Sequence, residues 1–301
     1  MIPVLVTVFA AVLGLAFGSF LNVCATRWPE EESIVKRRSH CRHCDRTLAW
    51  WENVPLVSWL ALGGRCRTCK AWIGWRYPLV ELSVGLLWAY SAWSMFNAAP
   101  ELNAGIFSYN AAIVFTKGIF QMIFLWLLMA LAVLDAENLW LPDRLILPGI
   151  GLGFVLAMIR SALAASMLQG TFAAWKPLAA RAIANWLISA VASAGALLII
   201  RWVYQMVRDQ EGIGLGDIKL MAMLGGWFGV IKMGLLVLVL GIVIGGVVAL
   251  LQLAVASRRT KGESSWGLKK LPLGTFLCLA GIITVFWGRS LIAIYLRWSG
   301  L

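Results

Sequence analysis

The sequence predicts an all-α polytopic membrane protein of about eight transmembrane helices, with a small cytoplasmic zinc-binding insertion after the first helix. Three observations predict it. Of the 301 residues, 61% are hydrophobic and only 13% are charged, with 17 Trp, whereas a soluble domain carries roughly 25% charged residues. The apolar residues fall in runs close to the roughly 20 residues that cross a bilayer as a helix. Four cysteines stand as two C-x-x-C pairs in a polar stretch after the first run.

The first run, residues 2–23, has no basic residue before it, and the first positive charge is Arg27. A signal peptide has a basic start and an apolar stretch of about 7–15 residues. This run is longer and carries its charge on the other flank, so it is expected to be a retained helix that starts outside the cytoplasm. Spans follow near residues 3–25, 78–97, 111–134, 145–165, 179–203, 218–231, 233–256 and 273–296. The sixth is short, with Gly225, Gly226 and Gly229 at its end. The expected organisation is a first transmembrane helix (1–26), a cytoplasmic four-cysteine segment (27–77) and a transmembrane domain (78–301).

Cytoplasmic loops are enriched in Lys and Arg. With eight spans and an outside start, the regions 27–77, 135–144, 201–219 and 257–270 face inward. They hold all Lys and Arg except Lys117, Arg160, Lys176, Arg181, Lys232, Arg289 and Arg297. The net charge of +12 then reflects basic loops beside anionic lipid, and no nucleic-acid partner is needed to explain it.

Cys41-x-x-Cys44 and Cys66-x-x-Cys69 lie in short basic loops, HCRHCDR and GRCRTCK. Their 21-residue separation, 45–65, is just beyond the usual ~15–20 of a two-knuckle zinc site. Such loops can aim four thiolates at one tetrahedral metal, basic neighbours favour the thiolate, and zinc supplies a small segment with folding energy. Disulfides are rare in the cytoplasm; a redox pair and chance spacing with no metal are the remaining alternatives. His40 and His43 read as solvated loop residues, Cys24 and Cys278 as packing residues.

Asp135 ends an apolar run (MALAVLD), Asp143 follows in LWLPDRL, and Asp217 opens the sixth span in GIGLGDIKLMAML. Carboxylates at membrane helix ends are costly unless paired, solvated or used. Two close carboxyls share one proton, so one can draw a proton from water while the other donates to a peptide carbonyl. Gly214 and Gly216 lack a Cβ, which would let an extended peptide approach Asp217. The bland alternative is that each aspartate marks a helix boundary at water, or suits the dipole at a helix start. The residues alone leave a protease as one possibility among several.

Several blocks taken in order resemble the type IV prepilin peptidases of the bacterial inner membrane: GLAFGSFLNVCATRWP (14–29), the cysteine quartet, WWENVPLVSWL (50–60), WRYPLVEL (75–82), LDAENLWLPDRLILP (134–148) and EGIGLGDIKLMAMLG (211–225). The resemblance implies a multi-pass inner-membrane enzyme that removes the basic leader of type IV prepilins or pseudopilins at the cytoplasmic face. It then methylates the new N-terminus with S-adenosylmethionine. It makes 78–301 a transmembrane aspartyl peptidase domain, places the catalytic aspartates on Asp135 and Asp217 with Asp143 supporting, and the metal on Cys41, Cys44, Cys66 and Cys69. The methyltransferase residues are expected in the amino-terminal part, with Gly18, Asn22, Glu52 and Glu81 as candidates. Departures are Thr26 where the family has an aromatic, KLPLGTF (270–276) in place of a Pro-Gly-Pro pattern, and extra residues near 166–178. The rival readings are a cation or proton transporter, which would place paired charges near the bilayer midplane, and a membrane-anchored binding module.

Overall fold

The computed structural model describes residues 2–36, 38–98, 109–167, 172–209, 212–259 and 271–300. Glu211, Lys270, residues 168–171 of the extra stretch and residues 260–270 of the basic 257–270 loop lie outside them. The described residues form nine α-helices and no strand: α1 (Ile2–Arg27), α2 (Val57–Ala61), α3 (Arg76–Ala98), α4 (Tyr109–Asn138), α5 (Asp143–Met167), α6 (Phe172–Arg208), α7 (Leu215–Phe228), α8 (Ile231–Arg259) and α9 (Leu273–Ser299). All but α2 and α7 are long and apolar enough to cross a membrane, seven among the described residues. The expected sixth span, 218–231, is α7, whose 14 residues reach only ~21 Å at 1.5 Å per residue. Gly229, at φ +61°, stops it by turning its N–H back to the Gly225 carbonyl at 3.0 Å. A residue with a Cβ enters that left-handed region at a cost.

Residue contacts divide the chain into two compact units, Met1–Ala130 and Leu131–Leu301. In the first, α1 packs on α3. Lipid tails are as apolar as leucine, so packing contacts rather than water exclusion hold membrane helices together. Gly14 and Gly18, one turn apart, allow that close contact. A Cβ at Gly14 would lie 2.9 Å from the Gly85 Cα, and one at Gly18 2.7 Å from the Glu81 Cα. Val4, Leu5, Val8, Phe9 and Val12 of α1 stay exposed, an apolar face suited to lipid. At the end of α1 the buried Arg27 donates to the carbonyls of Ser33, Ile34 and Arg38, each at 3.2 Å, and so shapes the start of the four-cysteine segment.

In the second unit α7 is packed by α5, α6, α8 and α9. It buries Leu220, Met221, Met223, Leu224 and Trp227. Ser193 of α6 lies against Gly225 and Gly234, where an added Cβ would run into it. A helix too short to span is thereby fixed by its neighbours, and its first turn carries Asp217.

Candidate functional site

Asp135, on the last turn of α4, is 5% exposed, and Asp217 is 9% exposed. Asp135 Oδ2 accepts the Thr275 N–H at 2.6 Å and faces the Thr275 hydroxyl at 3.0 Å. Thr275 is in the first turn of α9, where free N–H groups and the helix dipole favour an anion. Asp217 Oδ2 accepts the Gly214 N–H at 3.3 Å. The two carboxyls are close enough for the Asp135 charge to act on Asp217, and both charges act on the fully buried Cys278. Leu141 wedges between their supports: an added Cβ would sit 3.1 Å from Leu141 at Gly216 and 2.8 Å from it at Gly274. At Gly274 that Cβ would also be 3.0 Å from Asp135 Oδ2.

Gly214 and Gly216 therefore differ. The space beside Gly216 is filled by Leu141, whereas at Gly214 an added Cβ meets first the Asp217 carboxylate at 3.4 Å. Only Gly214 leaves the room for a peptide backbone that the sequence suggested for both. Asp143, exposed at the start of α5, takes the Lys219 ammonium on both oxygens at 2.8 Å. It ties α5 to the first turns of α7, two residues beyond Asp217. Sequence reasoning missed Thr275 and Lys219. The Gly-Thr pair directly after Pro272 in KLPLGTF was the available signal for the first.

Cys41, Cys44, Cys66 and Cys69 present their sulfurs within 4.8 Å of one another. The Cys41 and Cys69 sulfurs are 3.7 Å apart. Four sulfurs about 2.3 Å from one tetrahedral zinc would be spaced by ~3.8 Å, so the donor set fits that ion. The two knuckles are built alike. Cys41 N–H bonds the Arg46 carbonyl and Cys66 N–H the Ala71 carbonyl, both at 2.9 Å. Asp45 and Lys70 turn each chain back at positive φ. Backbone N–H groups of Cys69 and Thr68 pull the Cys66 thiol down to about 6, whereas burial and the neighbouring sulfurs push the Cys69 thiol up to about 11, so Cys66 is the first thiolate offered to a metal. His40 lies 3.7 Å from Asp45 rather than in the sulfur cluster.

The four amino-terminal candidates separate by environment. Gly18 serves the α1–α3 contact. Glu52 is held on both oxygens by Arg46 (2.8 and 3.0 Å) and by the Ala49 N–H at 2.8 Å. The guanidinium and that N–H keep its carboxyl below the usual carboxylate range, so it braces the first knuckle. Asn22 donates to the Tyr77 carbonyl at 3.0 Å, and Glu81 accepts the Leu56 N–H at 2.8 Å. Both are buried, and both line a cavity of about 770 Å³ within the first unit.

Seven helices fit to cross a bilayer, two buried aspartates at helix ends and a four-cysteine cluster define a class: multi-pass helical membrane proteins with buried carboxyls at helix ends. Family models narrow it. The Bacterial Peptidase A24 N-terminal domain matches residues 12–95, and the type IV leader peptidase family matches residues 122–250. The prepilin leader peptidase/N-methyltransferase of Stutzerimonas stutzeri is 34% identical, covering 99% of this chain and 96% of that protein. The protein of the same name from Pseudomonas aeruginosa is 32% identical over the same shares, and that of Aeromonas hydrophila is 31% identical over 94% and 91%. The chain belongs to the type IV leader peptidase family. No solved structure matches it.

Proposed function

We propose that the chain cleaves the basic leader from type IV prepilins or pseudopilins with Asp135 and Asp217, and methylates the amine so exposed. The observation that carries the peptidase reading is the two buried aspartates within electrostatic reach of each other, built on three helix ends of one unit. Asp135 receives two donors from Thr275 against the single Gly214 N–H on Asp217, so Asp135 is assigned the proton from water. Asp217 holds the shared proton and hydrogen-bonds the scissile carbonyl as the water oxygen adds to its carbon. The proton on Asp135 then passes to the leaving nitrogen as the C–N bond breaks. Asp143, through Lys219, positions α7, and the peptidase lies within 78–301.

Zinc on the four cysteines is structural in this reading and holds the two knuckles of 27–77 together. S-adenosylmethionine supplies the methyl group when bound. The distribution of Lys and Arg puts both the four-cysteine segment and the aspartates on the cytoplasmic side of a bacterial inner membrane. In that assignment α7 counts as a crossing, which a short helix makes where the bilayer thins. The test is one incubation of purified protein with a prepilin and methyl-labelled S-adenosylmethionine. Leader loss followed by label on the mature pilin is expected. An intact leader would defeat the peptidase reading, and leader loss without label would defeat the methyltransferase reading.

A further inference from the structure

The cavity of the first unit is a half-open cleft bordered by the end of α1, the start of α3 and the four-cysteine segment between them. Asn22, Thr26, Trp59, Trp72, Tyr77 and Glu81 are among the residues that line it. Its ~770 Å³ falls within the roughly 300–1,000 Å³ of small-molecule sites.

In its wall one buried acceptor is unpaired and one buried carboxyl has only neutral partners. Asn22 is 2% exposed, and its Oδ1 accepts no hydrogen bond, although a buried acceptor left unpaired costs about 1–3 kcal/mol. Glu81 is 7% exposed. The groups acting on it, the Leu56 N–H and the Ser19 and Asn22 side chains, are all neutral. A buried carboxylate is ordinarily matched by a cation; Glu52, in the same wall, has Arg46. The backbone beside Glu81 is also held in an unusual shape. Leu56 has φ +59° and ψ −49°, and the Val57 N–H closes a three-residue turn onto the Pro55 carbonyl at 2.6 Å. The carboxylate pins that turn through the Leu56 N–H.

An unpaired acceptor, a carboxyl that no cation faces and tryptophan and tyrosine rings suit a compact organic cation. We infer that this cavity binds the methyl donor, with Glu81 and Asn22 facing its positively charged sulfonium end and the aromatic rings flanking its adenosyl part. This inference rests on the methyltransferase reading above. It gives Asn22 and Glu81 a shared role, and leaves Gly18 and Glu52 to the framework.

The test measures binding, not turnover, on the detergent-solubilised full chain. S-adenosylmethionine and S-adenosylhomocysteine differ by one methyl group and the charge on sulfur. Equilibrium dialysis with each gives two dissociation constants for the wild type and for the Glu81→Gln and Asn22→Ala variants. Zinc content of each variant reports whether the first unit is folded. Glu81→Gln keeps an oxygen for the Leu56 N–H and removes only the charge. It is expected to weaken the sulfonium compound about tenfold or more, the scale of a lost charged hydrogen bond, and the neutral thioether less than threefold. Asn22→Ala is expected to weaken both. Equal weakening of both ligands by Glu81→Gln, no weakening by either variant, or no binding of S-adenosylmethionine to the wild type at 1 mM would each overturn the inference. So would a basic leader peptide whose binding is lost in Glu81→Gln while donor binding survives. Leader cleavage, scored separately, reports on the aspartate pair and is untouched by these outcomes.

Discussion

Thr275→Val isolates one hydrogen bond at the centre of the proposed site. The Thr275 hydroxyl lies 3.0 Å from Asp135 Oδ2 and 3.1 Å from the Ala132 carbonyl, and its single proton can serve only one of them. The carboxylate is the stronger acceptor once ionised. Valine keeps the branched shape and leaves the Thr275 N–H in place at 2.6 Å. The loss is therefore one charge-assisted hydrogen bond, worth about 1.5–3 kcal/mol. At about 1.4 kcal/mol per tenfold, kcat should fall roughly 10- to 150-fold with KM little changed, because the bond serves the proton transfer rather than peptide binding. Thr275→Ser restores the hydroxyl and should recover activity to within about threefold, under one half of that ~1.4 kcal/mol per tenfold. The assay is the initial rate of leader removal from a purified prepilin, read by gel shift across substrate concentrations. Wild-type kcat in Thr275→Val, or an equal loss in Thr275→Ser, would refute the assignment of Asp135 as the ionised partner.

Four further outcomes follow from the geometry. Gly274→Ala places a Cβ 3.0 Å from Asp135 Oδ2 and 2.8 Å from Leu141; displacement of a catalytic group on the ångström scale costs up to ~100-fold, so cleavage should fall well beyond that of Gly214→Ala, as initial rates would record. Lys219→Ala breaks an ion pair whose side chains are 45% and 53% exposed; solvent screening limits its worth to about 1 kcal/mol, so the melting temperature should hardly move and kcat should drop no more than about fivefold. Chelation, or Cys66→Ser, should remove zinc measured at about one per chain in the untreated protein; less than about half an equivalent in that starting protein would contradict the cluster's role. The pH dependence of kcat/KM should be bell-shaped, since in the proposed mechanism the pair works with one proton: activity falls when acid protonates both carboxyls and when alkali ionises both. A flat profile across the stable range would count against a carboxyl dyad.

Much of this was legible in the chain because lipid imposes simple rules. Runs such as 78–97 and 273–296 had to be helices, since a bilayer satisfies no open backbone group. Asp135 and Asp217 stood out because a carboxylate at the end of an apolar run needs a reason to be there. The cysteine pairs were legible from spacing, and the sulfur cluster agrees with them. What escaped was set by contacts between distant residues. Thr275 is 140 positions from Asp135, and nothing local to KLPLGTF says which carboxylate its N–H would meet. Gly216 looked like room for substrate, but Leu141, 75 positions earlier, occupies that space. The short length of α7 was half visible in its glycines; only the left-handed turn at Gly229 fixes where it stops. Glu52 and Glu81 looked alike in sequence, and their difference lies in Arg46, which reaches one and not the other.

The central claim is that Asp135 and Asp217 act together on a peptide bond. Its most direct test is leader cleavage by Asp135→Asn and Asp217→Asn, each purified from membranes and checked for normal zinc content. Asparagine keeps the size of the side chain and removes the ionisable proton, so each variant should insert and bind zinc yet show no cleavage of a prepilin, with Asp143→Asn retaining activity. Full processing of the leader by either Asp135→Asn or Asp217→Asn would contradict the account.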